Sequence, residues 1–95
     1  MTKSQLVLRI SERMPNVPLR AVEAIVNATF DAMSAAMLRG DRIELRGFGS
    51  FCVRPRRPRV GRNPKTGRSV QVPSRRALVF APGKELKDRL NPNSP

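Results

Sequence analysis

Apolar residues recur at helical spacing twice along the first forty positions and then give way to alternation. Leu6, Val7, Ile10 and Met14 share one face of a helix expected over about 3–14, opened by a Thr2 and Gln5 capping box and closed before Pro15. Pro18 suits the first turn of a second helix. Along it Val22, Ile25, Val26, Phe30, Met33 and Met37 form a stripe beside Ala21, Ala28, Ala32, Ala35 and Ala36, and Gly40 ends it. From Asp41 to Arg46 polar and apolar residues alternate, Ile43 and Leu45 against Arg42, Glu44 and Arg46, which predicts a half-buried strand. Gly47-Phe48-Gly49 predicts a tight turn and Ser50–Val53 a second strand. After a long hairpin over about 55–75, Ala77–Phe80 predicts a third. Pro82-Gly83 introduces a short helix over about 83–90, and 91–95 is expected to be a disordered tail.

The fold class expected is α+β: two N-terminal helices, a three-stranded antiparallel sheet with a protruding β-ribbon arm, and a short C-terminal helix. The pattern reads as one domain over 1–95, with a body of about 1–54 and 76–90 and an arm of about 55–75. Without the arm, the body falls in a size range where a single chain buries only about 60% of its unfolded surface. Phe30, Phe48, Phe51 and Phe80 all lie outside the arm, and the second helix is too apolar for so small a body to cover. An intertwined dimer follows.

Charge gives this fold its purpose. Between Glu44 and Glu85 there is no acidic residue, yet the interval carries Arg46, Arg54, Arg56, Arg57, Arg59, Arg62, Lys65, Arg68, Arg75, Arg76 and Lys84. Residues 1–53 hold seven basic and five acidic side chains, whereas 54–95 hold twelve and two, so most of the formal +12 sits in the second half. Such a distribution is suited to a polyanion. A membrane-surface role needs a basic amphipathic helix, and no run reaches the ~20 apolar residues of a span; the basic stretch here is Pro-rich and hairpin-like. Cys52 is alone and no secretion signal is visible, which implies a reducing, cytoplasmic setting. With no His or Tyr, and no base or ligand cluster around Cys52, neither an enzyme, a metal site, a cofactor nor a small-molecule substrate is expected.

Three segments carry a likeness: Gly47-Phe48-Gly49-Ser50-Phe51, Gly61-Arg62-Asn63-Pro64-Lys65-Thr66-Gly67 and Pro82-Gly83-Lys84-Glu85-Leu86. Their order over roughly residues 1–90 resembles the bacterial HU and integration host factor family of DNA-bending proteins. Within it, Arg42-Ile43-Glu44-Leu45-Arg46 is most similar to the β subunits of integration host factor. Two departures stand out: Ala81 where a lysine is common, and extra arginine in Pro73-Ser74-Arg75-Arg76.

The resemblance implies a nucleoid-associated architectural protein that binds double-stranded DNA in the minor groove and bends it. Its partner would be an α-type integration host factor subunit, or a second copy of itself. Arg57, Arg59, Arg62, Asn63, Lys65, Arg75 and Arg76 would line the arm contact, and Lys3, Gly83 and Lys84 would hold flanking phosphates. Pro64 would wedge between base pairs; on residue type alone, a turn proline presetting its φ angle is the preferred account. Arg46 would probe the groove with Arg42 and Glu44 fixing its approach, or these three form a plain charge ladder on a solvated strand. An RNA-binding or ribosome-associated hairpin is the rival from another class. The lack of any aromatic residue in the arm argues against base stacking.

Overall fold

The computed structural model describes residues 1–92, and their capping signals act where the sequence puts them. Thr2 is the N-cap of α1 (Lys3–Arg13): its Oγ1 accepts from the Gln5 N–H at 3.3 Å, and Gln5 Oε1 accepts from the Thr2 N–H at 2.9 Å. The Pro18 carbonyl accepts from the Ala21 and Val22 N–H groups to start α2 (Leu19–Leu38). Gly40, at φ +83°, reverses the chain after α2; its N–H bonds the Met37 carbonyl, and the Asp41 N–H bonds the Ala36 carbonyl. These two bonds form a Schellman motif.

The chain makes two compact units, Met1–Ala35 and the remainder from Ala36. In the first, Val7, Val22 and Val26 are buried and Ile10 and Val17 pack against them. These are the buried apolar side chains among the described residues, a small core for 95 residues. Ile25 stays 57% exposed and Phe30 41%, on the stripe expected to pack against another chain. α2 also reaches a mean hydropathy of 1.2 over membrane-spanning length, contrary to the expectation that no run comes near it.

In the second unit β1 (Ile43–Leu45), β2 (Gly49–Arg56) and β5 (Arg75–Pro82) form an antiparallel sheet in the order β1-β2-β5. Phe51 lies opposite Phe80, and the Phe80 ring sits 4.8 Å from that of Phe51 and 5.5 Å from that of Phe48. These tilted pairs bind β2, β5 and the Gly47 turn together. α3 (Lys84–Leu90) ends at Asn91, and the rest of the expected tail, 93–95, lies outside the described residues.

β3 (Arg59–Arg62) and β4 (Ser69–Val72) form a separate two-stranded ribbon. The expected arm strands of about ten residues are thus broken, at Arg57-Pro58 on one side and Pro73-Ser74 on the other. Proline supplies no N–H to a ladder, which is why pairing lapses there. The gaps match in length, so the register set at Arg56↔Arg75 resumes unchanged at Arg59↔Val72.

Candidate nucleic-acid interface

The tip of the ribbon is shaped by Asn63. Its N–H donates to the Arg68 carbonyl at 2.8 Å, its carbonyl accepts from the Gly67 N–H at 2.7 Å, and its Oδ1 accepts from the Lys65 N–H at 2.9 Å. Thr66 Oγ1 accepts from the Arg68 N–H at 3.3 Å, and Gly67 takes a φ of +71° that favours glycine. Asn63 therefore holds the turn while Pro64 and Lys65 remain exposed at its apex. Arg62 stands opposite Ser69 and Arg59 opposite Val72, so cations run down one ribbon strand.

At the root, Arg56 and Arg75 are direct cross-strand partners, and Arg57 and Arg59 line the same concave notch beside Pro58 and Pro73. Like charges in that position repel, and no acidic residue between Glu44 and Glu85 relieves them. An external anion would. The sequence names Arg56 among the cations of the interval but not among the arm contacts; its pairing with Arg75 across the ribbon root places it there.

On the sheet, Arg42 Nη2 donates to Ser50 Oγ at 3.3 Å and lies 4.0 Å from Glu44 Oε1. Ser50 is the cross-strand partner of Glu44, so all three share one face. The expected place of Arg46 on that strand is corrected: β1 stops at Leu45, whose carbonyl accepts from the Phe48 N–H at 2.9 Å, and Arg46 belongs to the turn. Gly47 at φ +84° closes it. Arg46 still borders the shallow groove lined by Arg42, Glu44 and Ser50.

Gly83 caps α3 without a side-chain bond; its N–H donates to the Phe48 carbonyl at 2.8 Å, which pins the helix start to the turn. Lys84 follows it and is exposed. Glu85, which the sequence marks only as the end of the acid-free interval and part of a motif, stands in the same first turn, and a Cβ on Gly47 would come 3.0 Å from its Oε2. Lys3 is the first residue of α1, in the other unit. Arg76 points elsewhere: its Nη2 donates to the carbonyls of Leu38 at 2.9 Å and Met37 at 3.2 Å.

The Bacterial DNA-binding protein family model matches residues 1–91. The chain is 52% identical over 91 residues to the integration host factor subunit beta of Methylococcus capsulatus, covering 96% of each. With that of Dechloromonas aromatica it shares 50% over 91 residues, 96% of this chain and 97% of the other. HU in the Anabaena HU-DNA cocrystal structure superposes with a TM-score of 0.87 at 35% identity, over 97% of this chain and 99% of that one. HU from Thermotoga maritima, at 21% identity and a TM-score of 0.64 over 96% and 100%, shares the fold. This chain belongs to the bacterial DNA-binding proteins of the HU and integration host factor family.

Proposed function

We propose that this chain is the β-type half of a dimeric architectural protein that bends duplex DNA. The observation that carries this reading is the acid-free ribbon with an exposed proline at its apex. From Arg56 to the apex is about nine residues, or ~30 Å at ~3.3 Å per residue, enough for two arms to embrace a duplex. A minor groove ~6 Å wide does not accept two strands ~4.8 Å apart with their side chains unless it opens. Arm entry and DNA deformation are therefore one event.

Arg57, Arg59, Arg62, Lys65 and Arg75 hold phosphates along the arm, and Asn63 keeps the apex rigid. Pro64 enters the base stack, where an apolar ring without a donor has no hydrogen bond to lose; unstacking costs a few kcal/mol per step. Once kinked, the duplex swings back toward the Gly83-Lys84 helix start and toward Lys3, and these contacts offset the cost. Arg42 and Glu44 hold each other beside Arg46, which reads groove width and so favours some sequences.

The partner is an α-type subunit of the same family, joined through the uncovered α2 stripe and the sheet. The setting is the bacterial cytoplasm, on the nucleoid, with recombination, replication and transcription complexes as the processes assisted. Competition among a pre-bent or nicked duplex, an intact duplex and hairpin RNA tests the class: the bender prefers bent DNA. Preference for RNA overturns it. An HU-like homodimer that packages DNA is the second reading, favoured by the root cluster Arg56, Arg57 and Arg75, which grips any sequence alike. Native mass spectrometry with and without the α-type chain separates the two.

A further inference from the structure

α2 has no basic residue in its last turn to meet its C-terminal carbonyls. The Schellman bonds from Gly40 and Asp41 occupy the carbonyls of Met37 and Ala36, which leaves Leu38 without a partner from the helix cap. Arg76 provides it from 38 residues away, and the same Nη2 takes a second bond to the Met37 carbonyl. A cation at this end also meets the negative pole of the helix. All other side-chain hydrogen bonds among the described residues span eight positions or fewer, so this one ties distant parts of the chain.

Its position gives it leverage. Arg76 lies on β5 opposite Pro55, next to the Arg56↔Arg75 pair where the body ladder stops and the arm begins. Residues 37–40 lead into β1, at the other edge of the β1-β2-β5 sheet. The bond therefore braces the root of the arm against the connection that feeds the far strand. We propose that Arg76 is a positioning residue: it takes no DNA phosphate but fixes the direction in which the arm leaves the sheet, and through it the angle of the bent duplex.

This rests on the bending reading, so two measurements are paired. Arg76→Ala removes the brace, and Arg76→Met removes its donors while keeping a side chain of similar length, so two variants test the same loss. In the free protein, amide exchange at Gly40 and Asp41 should quicken by about fivefold or more in either variant, because the cap they close loses its outer support. On DNA at saturating protein, end-to-end transfer should fall by about half or more while the slope of log K against log salt stays at the wild-type value. Arg75→Ala, a phosphate contact, should instead make that slope shallower by about 1. Unchanged exchange, an unchanged bend, or a slope made shallower by about one unit in Arg76→Met overturns the proposal. If wild type itself gives no bend although exchange quickens, the bending reading fails and takes arm alignment with it, leaving only a helix cap.

Discussion

Arg42 reaches from the approach to β1 to the hydroxyl of Ser50 on β2, with 3.3 Å between Nη2 and Oγ, while the same nitrogen lies 4.0 Å from Glu44 Oε1. The side chains of Arg42 and Glu44 are 60% and 76% exposed, so their pairing contributes little to stability, about 0–1 kcal/mol. Its value lies in orientation. Ser50 and Glu44 together restrict an arginine that otherwise sweeps through solvent, and Arg46 enters the same groove. Glu44→Ala is therefore expected to leave the thermal midpoint in place but to lower the affinity ratio between a preferred site and scrambled DNA by about tenfold, the scale of one lost base-reading contact. Ser50→Ala should do the same to a lesser degree. An unchanged ratio in paired titrations removes the groove-reading role from this face.

Gly49 is fixed by lack of space. A Cβ there would stand 2.6 Å from the Ala81 carbonyl oxygen and 2.8 Å from two atoms of the Phe80 ring, which is held against Phe48 and Phe51. Neither neighbour can withdraw without parting β2 from β5. Gly49→Ala is expected to cost about 2 kcal/mol or more, read as a lower urea midpoint at constant slope.

The helices, the sheet order and the arm were legible because each has a local signal: a capping box, a stripe, an alternation, a glycine turn. What stayed hidden depends on partners distant in sequence. Nothing near Arg76 shows that Leu38 lacks a cap, and Glu85 against Gly47 joins residues that only the folded turn brings together. Arg46 was placed on a strand because alternation continues one residue past the point where the Leu45 carbonyl turns the chain. The breaks at Arg57-Pro58 and Pro73-Ser74 show in the prolines, whereas their equal length becomes meaningful only with the register known. Asn63, expected from the sequence as a DNA contact, also holds the turn through its carbonyl and Oδ1, a role that spacing alone does not reveal.

Salt dependence measures how many phosphates the arms meet. A dimer that neutralises about ten should show log K falling against log salt with a slope near −9. Lys65→Ala at the apex is expected to make the slope shallower by about 1 per chain and to weaken all sequences alike. A wild-type slope of about −3 or shallower means the arms stand free of the duplex.

Phe30 tests the missing partner. It is 41% exposed on α2 and lines an apolar groove with Ile25, Ile10 and Met14, a surface a lone chain leaves to water. Phe30→Asp should shift sedimentation toward the monomer and weaken DNA binding by about tenfold or more, since one arm cannot embrace the duplex. A variant that sediments as wild type moves the dimer contact off this stripe.

Bending through Pro64 is the claim on which the rest depends, and fluorescence transfer between the ends of a duplex of about 35 base pairs, far below the ~150 base-pair persistence length, reads it directly. Wild type with an α-type partner should raise transfer strongly, and Pro64→Ala should lose more of that rise than of the affinity. Tight binding with no rise in transfer, or a Pro64→Ala duplex bent as fully as wild type, contradicts the account.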